Sequence, residues 1–205
     1  MKKYLLEAAQ LARGFMPHKE GMSLYEIALQ VAPRSAILEV GSYCGKSTIY
    51  LGAAARETGS TVFTIDHHRG SEEMQRGWAH HDSELVDRDS GLMDSLPELR
   101  RNLEKTSLND VVVPIIGDSL VVARHWAGDI SMLFIDGGHG PVPAHSDYES
   151  WASKVTRGGF MAIHDVFPNP ADGGRPPYEI YCRALDEGLF EQHSSLGSLQ
   201  VLRRL

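Results

Sequence analysis

The segment from residue 36 to residue 49 most constrains what this chain can fold into. An apolar run ends at Glu39, a turn with Gly41 and Gly45 follows, and a helical pattern begins near Ser47. This order predicts a buried strand, a tight turn and a helix N-terminus, where the backbone can approach a ligand and offer it free N–H groups. An acid at the strand end favours a donor-rich ligand, such as a ribose or an amino-acid ammonium, over a phosphate.

Length, charge and cysteine content limit the functions open to the chain. At 205 residues it is predicted to form a single domain, residues 1–205, with a substantial core. A net charge of −7 argues against nucleic acid or an anionic membrane as a partner, since both select a basic surface. Its two cysteines, Cys44 and Cys182, form no disulfide framework, and no apolar run is long enough to span a bilayer. A cytoplasmic protein without a signal peptide is therefore expected.

Apolar patterns along the chain alternate between helical and strand spacing. Within residues 1–33, helices are predicted over 2–13 and 23–31, with a break at 17–21. Five parallel strands and a C-terminal hairpin around Gly197 are expected to follow. The parallel strands are predicted at residues 36–40, 61–65, 111–116, 131–135 and 159–163. This is an α/β pattern that predicts a Rossmann-like, doubly wound, seven-stranded sheet, mostly parallel with a C-terminal antiparallel hairpin.

The lid segment, residues 67–94, lies between the second predicted strand and the next helix. It is polar and rich in histidine, acid, glycine and arginine. A simple connection between a strand and a helix needs far fewer residues, and long loops at the carboxyl end of a sheet usually belong to the site. The segment is therefore predicted to be a lid or wall of a substrate site, with a solvated surface loop as the alternative.

Acidic residues end, or directly follow, the predicted parallel strands. They are Glu39, Asp66, Asp118, Asp136 and Asp165. The carboxyl ends of parallel strands share one edge of the sheet, where open α/β folds bind ligands. A fold gains no stability from clustering carboxylates without positive partners, so these acids predict a functional site.

Three binding motifs compete for the glycine turn. The dinucleotide fingerprint fails because Gly41 lacks the second glycine two residues later, and Gly-Lys46-Ser-Thr lies one residue too close to Gly41 for a P-loop. The third motif, acid-x-Gly-x-x-x-Gly, is matched by Glu39, Gly41 and Gly45. It resembles motif I of the class I S-adenosylmethionine (SAM) methyltransferases. A P-loop nucleotide enzyme and an ordinary turn with two glycines remain alternatives.

Two later motifs narrow this resemblance, which covers nearly the whole chain from about residue 21. Phe-Ile-Asp136-Gly-Gly-His139 and Gly-Gly-Phe-Met-Ala-Ile-His164-Asp165 are similar to motifs of the metal-dependent, mycinamicin-type O-methyltransferases that act on sugars in natural products. The resemblance implies that Asp136 and Asp165 bind Mg²⁺ and that His139 is the general base. His164 stands where this group usually has Glu or Asp. As a metal ligand it would shift the preference towards Mn²⁺ or other ions that accept nitrogen ligands. Alternatively, it does not touch the metal and only orients Asp165.

The same resemblance implies a set of contacts to SAM. Asp66 would hold the ribose hydroxyls, Asp118 with Ser119 would contact the adenine amino group, and Asp136 would also take part in catalysis. The expected SAM-binding residues are Glu39, Gly41, Ser42, Gly45, Ser47, Asp66, His67, Asp118, Ser119 and Asp136.

The predicted activity is transfer of a methyl group from SAM to a sugar or glycoside hydroxyl, assisted by a divalent metal. The lid residues His-His-Arg-Gly-Ser-Glu-Glu at 67–73 are similar to an actinobacterial group that includes a mannoside methyltransferase of mycobacterial methylmannose polysaccharide synthesis. A mannoside acceptor is therefore one expectation, and a catechol-type small molecule is the alternative. A homodimer is expected from the family resemblance. A binding module without enzymatic activity remains the other alternative.

Overall fold

The computed structural model describes residues 1–78 and 80–205, and the strands in this part of the chain form one seven-stranded sheet. The strands are β1 (Ala36–Val40), β2 (Thr61–Asp66), β3 (Val112–Ile116), β4 (Ile130–Ile135), β5 (Val155–Ile163), β6 (Phe190–Leu196) and β7 (Leu199–Arg204). Their order in the sheet is β3-β2-β1-β4-β5-β7-β6. The first five strands run parallel, and β7 pairs antiparallel with both β5 and β6. The predicted fold class is confirmed.

Helices cover both faces of the sheet. They are α1 (Lys3–Leu11), α2 (His18–Ala28), α3 (Lys46–Thr58), α4 (Leu96–Thr106), α5 (Ser119–Ala123), α6 (Pro141–Trp151) and α7 (Arg175–Asp186). Successive side chains of a strand point to opposite faces. Accordingly, Ile37 of β1 packs with the core formed by α1 to α4, while Leu38 packs with the core formed by α5 to α7. This burial on both faces explains why the parallel strands are continuous apolar runs.

The N-terminal region differs from the prediction in one element. The second helix begins at His18, directly after Pro17, and not at residue 23. Gly21 is therefore a helical residue, although glycine was expected to help break the chain there. A Cβ at this position would lie 2.3 Å from Cε2 of Tyr50, so glycine is needed for close packing of α2 on α3, which outweighs its low helix propensity.

The carboxyl ends of β1, β2, β4 and β5 meet at one edge of the sheet, as the topology requires. The lid segment follows β2 at this edge and contains two short 3₁₀ turns, Glu72–Met74 and Ser83–Leu85, and a bridge between Val86 and Met93. Within residues 1–78 and 80–205, the helices lack the length and apolar character needed to cross a membrane.

Candidate active site

A cavity of about 980 Å³ opens at the carboxyl edge of the sheet, a volume suited to a small-molecule ligand. Its walls are the glycine turn after β1, the lid segment, the loops after β4 and β5, and residues 13–16 between α1 and α2. Most of the predicted site residues line it: Gly41, Ser42, Ser47, Asp66, His67, Asp118, Ser119, Asp136, His139, His164 and Asp165. Glu39 and Gly45 are not among the lining residues that the structure describes.

The glycine turn is held between the ends of the neighbouring strands. Gly41 donates its N–H to the carbonyl of Ile65 at 2.9 Å, and Asp136 donates its N–H to the carbonyl of Val40 at 2.9 Å. Gly41 has a φ of 93°, and a Cβ there would lie 2.2 Å from the carbonyl oxygen of Asp136. Only glycine combines this backbone conformation with so close an approach.

Glu39 occupies a different place from the one predicted. Its side chain is fully buried, and Oε2 accepts a hydrogen bond from Thr48 Oγ1 at 2.6 Å. Oε1 has no hydrogen-bond partner among the described residues. Burial raises the pKa of Glu39 to about 7, against the opposing effect of the Ser47, Thr48 and Thr64 hydroxyls. Glu39 therefore connects β1 to the start of α3 by a hydrogen bond, and it lies beneath the residues that line the cavity.

The Ser42 hydroxyl in the turn is available to a ligand. Ser42 is 2% exposed and lines the cavity, and its Oγ has no hydrogen-bond partner among the residues that the structure describes. A buried hydroxyl without a partner is costly unless a ligand or water satisfies it. Ser47, near the start of α3, is also buried and lines the cavity, but its hydroxyl interacts with Glu39. Ser42 can therefore bond to a polar group of a ligand in the cavity.

Asp66 is fixed at the tip of β2. Its Oδ2 accepts the N–H of Tyr43 at 2.8 Å, and its Oδ1 accepts the N–H of His68 at 2.7 Å. Each carboxylate oxygen keeps a further acceptor site, so the group can still bind ribose hydroxyls. The neighbouring His67 is exposed and lines the cavity, and its Nδ1 accepts the N–H of Arg69 at 3.0 Å.

Another wall of the cavity is formed after β3. Asp118 is exposed and caps α5 by accepting the N–H of Val121 at 3.1 Å. Ser119 Oγ accepts the indole N–H of Trp151 at 2.7 Å. Asp147 of α6 also lines this wall, and burial raises its pKa to about 6, against the effect of a hydrogen bond with Ser119. Sequence reasoning missed Asp147 because it lies inside a helix and not at a strand end.

The loops after β4 and β5 bring together Asp136, His139 and Asp165. Each offers one ligand atom, and these atoms lie within 4.8 Å of one another. His139 Nε2 is 3.1 Å from Asp165 Oδ2, and His139 Nδ1 is 3.2 Å from Glu73 Oε1 in the lid segment. The two carboxylates suit Mg²⁺ or Mn²⁺, whereas an imidazole as a third ligand would favour Mn²⁺ over Mg²⁺. Although burial disfavours the cation, the hydrogen bonds to Asp165 and Glu73 raise the pKa of His139 to about 10.

His164 does not join this group of potential ligands. Its side chain is 2% exposed, with Nδ1 at 3.0 Å from Asp136 Oδ1 and Nε2 at 2.9 Å from Glu20 Oε2. Burial opposes the charge, but the surrounding carboxylates, Asp136 above all, raise the pKa of His164 to about 12. The geometry makes it a buried support for Asp136, with Asp165 Oδ2 farther away at 3.4 Å.

Glu20 and Glu73 complete the site, and neither was singled out from the sequence. Glu20 lies on α2, where a break was expected, and Glu73 lies among several acids of the lid segment. Glu20 also accepts hydrogen bonds from the N–H and Oγ of Ser198, at 3.2 and 3.1 Å. Their contacts to His164 and His139 span 144 and 66 residues of chain, so no local pattern signals them.

Comparisons with known proteins agree with this geometry. A family model described as a methyltransferase domain matches residues 38–166. The solved structure of the O-methyltransferase NovP aligns with a TM-score of 0.68 at 20% identity, covering 91% of this chain and 80% of that one. The S-adenosylhomocysteine (SAH)-bound methyltransferase PaMTH1 of Podospora anserina gives 0.70 at 15% identity, covering 100% and 89%. The O-methyltransferase TomG of Streptomyces achromogenes, in complex with SAM, gives 0.67 at 15%, covering 100% and 90%. At these identities the structural matches establish the fold.

Proposed function

Because the chain belongs to the methyltransferase domain family, we propose that it transfers the methyl group of SAM to a hydroxyl of a sugar or glycoside with the help of a divalent metal. One observation carries the proposal: the Asp136, His139 and Asp165 group forms part of the wall of the cavity that the glycine turn also lines. A methyl donor at the turn and an acceptor at the acid group would therefore share one space.

Several features support SAM as the donor. The unpartnered Ser42 hydroxyl suits the amino-acid portion, and the fixed carboxylate of Asp66 suits the ribose. The similar structures PaMTH1 and TomG hold SAH and SAM, respectively. SAM supplies a methyl group on a sulfonium, so transfer is an in-line displacement in which a C–O bond forms, the C–S bond breaks and SAH leaves.

The metal would be held by Asp136 and Asp165, with His164 supporting Asp136 from behind. Mg²⁺ is the proposed ion and Mn²⁺ the second choice. A divalent ion, when bound there, supplies positive charge that lowers the pKa of an acceptor hydroxyl and of the neighbouring imidazole. Asp165 adopts a left-handed backbone with a φ of 55°, and its Oδ2 lies 3.1 Å from His139 Nε2. Such rare conformations concentrate at functional sites.

His139 is the proposed general base. A neutral sugar hydroxyl is a poor nucleophile, so its proton must move to an acceptor as the C–O bond forms. The Nε2 atom of His139 faces Asp165, beside the proposed acceptor position. The carboxylates that raise the pKa of this histidine stabilise the imidazolium that forms when it takes the proton.

The proposed acceptor is a sugar hydroxyl, with a catechol as the second candidate. The polar lid segment favours a hydroxyl-rich molecule, and its sequence favours a mannoside. A catechol is the second candidate because Phe15 and Trp78, 57% and 54% exposed, lie at the cavity and could pack on an aromatic ring.

The test is calorimetric titration with SAH, in Mg²⁺ and in EDTA, with ATP as a control. Micromolar SAH binding without ATP binding is expected, and ATP binding without SAH binding would support the P-loop alternative instead.

The second experiment compares the acceptors by measuring methyl transfer from SAM to methyl α-mannoside and to catechol. Asp136→Asn should abolish the magnesium response, whereas Asp89→Asn, an exposed lid acid outside the cavity lining, serves as the matched control. Transfer that is equally fast in EDTA would refute the metal requirement.

A further inference from the structure

Glu73 in the lid segment contacts the proposed base directly. It lies in the 3₁₀ turn Glu72–Met74, and its Oε1 is 3.2 Å from His139 Nδ1. The same oxygen accepts a hydrogen bond from Ser71 Oγ at 3.1 Å, and its carbonyl accepts the N–H of His80 at 3.2 Å. Its side chain is 30% exposed. The carboxylate of Glu73 is thus held in place by its neighbours, and the sequence alone does not indicate a role for it.

Other contacts hold the lid segment against the loop after β4. A Cβ built on Gly138 would lie 3.6 Å from Cβ of Ser71, so the chain around Glu73 rests on the loop that carries His139. Arg13, between α1 and α2, forms ion pairs with Asp82 and Glu84 farther along the lid segment. The lid segment is therefore fixed at one point by the N-terminal region and at another by the Glu73–His139 contact.

The two ring nitrogens of His139 have different surroundings. Nε2 faces Asp165 and the potential metal ligands, whereas Nδ1 faces only Glu73 among its carboxylate contacts. Both nitrogens thus lie beside a carboxylate, Nδ1 at 3.2 Å from Glu73 and Nε2 at 3.1 Å from Asp165. In the proposed function Asp165 binds the metal, so Glu73 is the carboxylate left to hold a proton on Nδ1 and to fix the orientation of the ring, while Nε2 accepts a proton. A fully exposed carboxylate would do little to fix the proton or the ring. Here both side chains are half-buried, which strengthens the interaction.

We infer that Glu73 is a positioning residue that holds a proton on Nδ1 of His139 and turns Nε2 towards the acceptor. The inference rests on the proposed function, in which His139 is the base. It means that the lid segment does more than cover the cavity: the base is complete only when the turn at Glu72–Met74 lies against the loop after β4.

The test compares Glu73→Ala and Glu73→Gln with Asp89→Asn, a matched change at an exposed lid acid. Glu73→Ala should lower kcat by about tenfold to hundredfold, the range found when a carboxylate that supports a functional histidine is removed. Glu73→Gln should recover part of this loss, because its amide oxygen can still accept the Nδ1 proton. The KM for SAM and the affinity for SAH should stay within about twofold of wild type, since only the base is misplaced.

An activity-independent measurement keeps the inference separate from the proposed function. In protein labelled with ¹⁵N-histidine, with Mg²⁺ and SAH present, the Nδ1 proton of His139 should give a downfield signal, assigned by its absence in His139→Gln. The signal should persist in Glu73→Gln and vanish in Glu73→Ala. If wild-type protein methylates no acceptor, the proposed function fails, while this signal still decides whether Glu73 holds the proton.

Three results would overturn the inference. The first is a kcat for Glu73→Ala within about twofold of Asp89→Asn. The second is an unchanged Nδ1 signal in Glu73→Ala. The third is an equal loss of SAH affinity and kcat in Glu73→Ala, because it would mean that Glu73 supports the cavity as a whole and not the base.

Discussion

The buried carboxyl of Glu39 makes the stability of the ligand-free protein depend on pH in an unusual direction. Burial raises its pKa from the ordinary 4.5 to about 7, so the folded state binds this proton more tightly than the unfolded state. The contribution to stability is therefore greatest below about pH 4.5 and falls as pH rises to about 7, after which it is constant. With 1.36 kcal/mol per unit of pKa, the loss is about 3 kcal/mol.

Replacing Glu39 with glutamine removes this dependence. The amide oxygen can keep the hydrogen bond from Thr48 Oγ1, and any cost of burying the amide N–H₂ beside the Ser47 and Thr64 hydroxyls, at most about 1–3 kcal/mol, does not depend on pH. The constant cost cancels when the difference in unfolding free energy between variant and wild type is compared at two pH values. From pH 4.5 to about pH 8 this difference should move by about 3 kcal/mol in favour of Glu39→Gln.

Urea unfolding of ligand-free protein, followed by circular dichroism across this pH range, measures the difference. Glu104→Gln, an exposed acid of α4, is the control and should give a curve parallel to wild type. The reasoning is refuted if the Glu39→Gln and wild-type curves are also parallel, because the carboxyl would then titrate alike in the folded and unfolded states. A shift in favour of wild type at high pH would refute it as well.

Three further perturbations test the glycine turn, the lid and the metal ligands. Gly41→Ala should abolish SAH binding in calorimetry and destabilise the protein by at least about 1–2 kcal/mol, since its Cβ would clash with the Asp136 carbonyl; normal binding would contradict this. Arg13→Ala should speed trypsin cleavage within residues 67–94 but change stability by less than about 1 kcal/mol, and an unchanged cleavage rate would refute the role of its ion pairs. Asp165→Asn, which tolerates the left-handed backbone, should lower the magnesium-dependent rate more than about tenfold with SAH affinity unchanged, and an intact magnesium response would exclude Asp165 as a ligand.

The fold could be predicted because its signals are local. Each parallel strand contains an apolar run, and an acid or a glycine stands at its end or within the next two residues. The strand β1 was predicted with the bounds found in the structure. The start of α2 could not be predicted because Gly21 has a low helix propensity and yet is needed for helix packing. In isolation it disfavours a helix, and only the Tyr50 ring on α3 makes its missing side chain necessary. The helix start therefore depends on a contact between elements, which outweighs local propensity.

The edge of the sheet at which the site lies also follows from local signals, since the ends of parallel strands must meet there. What does not follow is which polar groups pair, because pairing depends on contacts far apart in sequence. At the sequence level, His164 is a potential metal ligand that would reduce the negative charge of the site. In the structure, Glu20 reaches its Nε2 from α2, and Oδ1 of Asp136 lies 3.0 Å from its Nδ1, so the imidazole is buried between two carboxylates.

This arrangement changes the charge balance at the proposed metal site. In the metal-free protein the neighbouring carboxylates raise the pKa of His164 and favour its cation, and Glu20, buried beside it at 2.9 Å, offsets that charge. A buried ion pair persists only when both partners are well hydrogen-bonded, and Ser198 completes the bonding of Glu20. The carboxylates of Asp136 and Asp165 then remain, and their two negative charges match the charge of a divalent ion. A histidine at an acid's position is thus compatible with a magnesium site because a distant glutamate compensates for it.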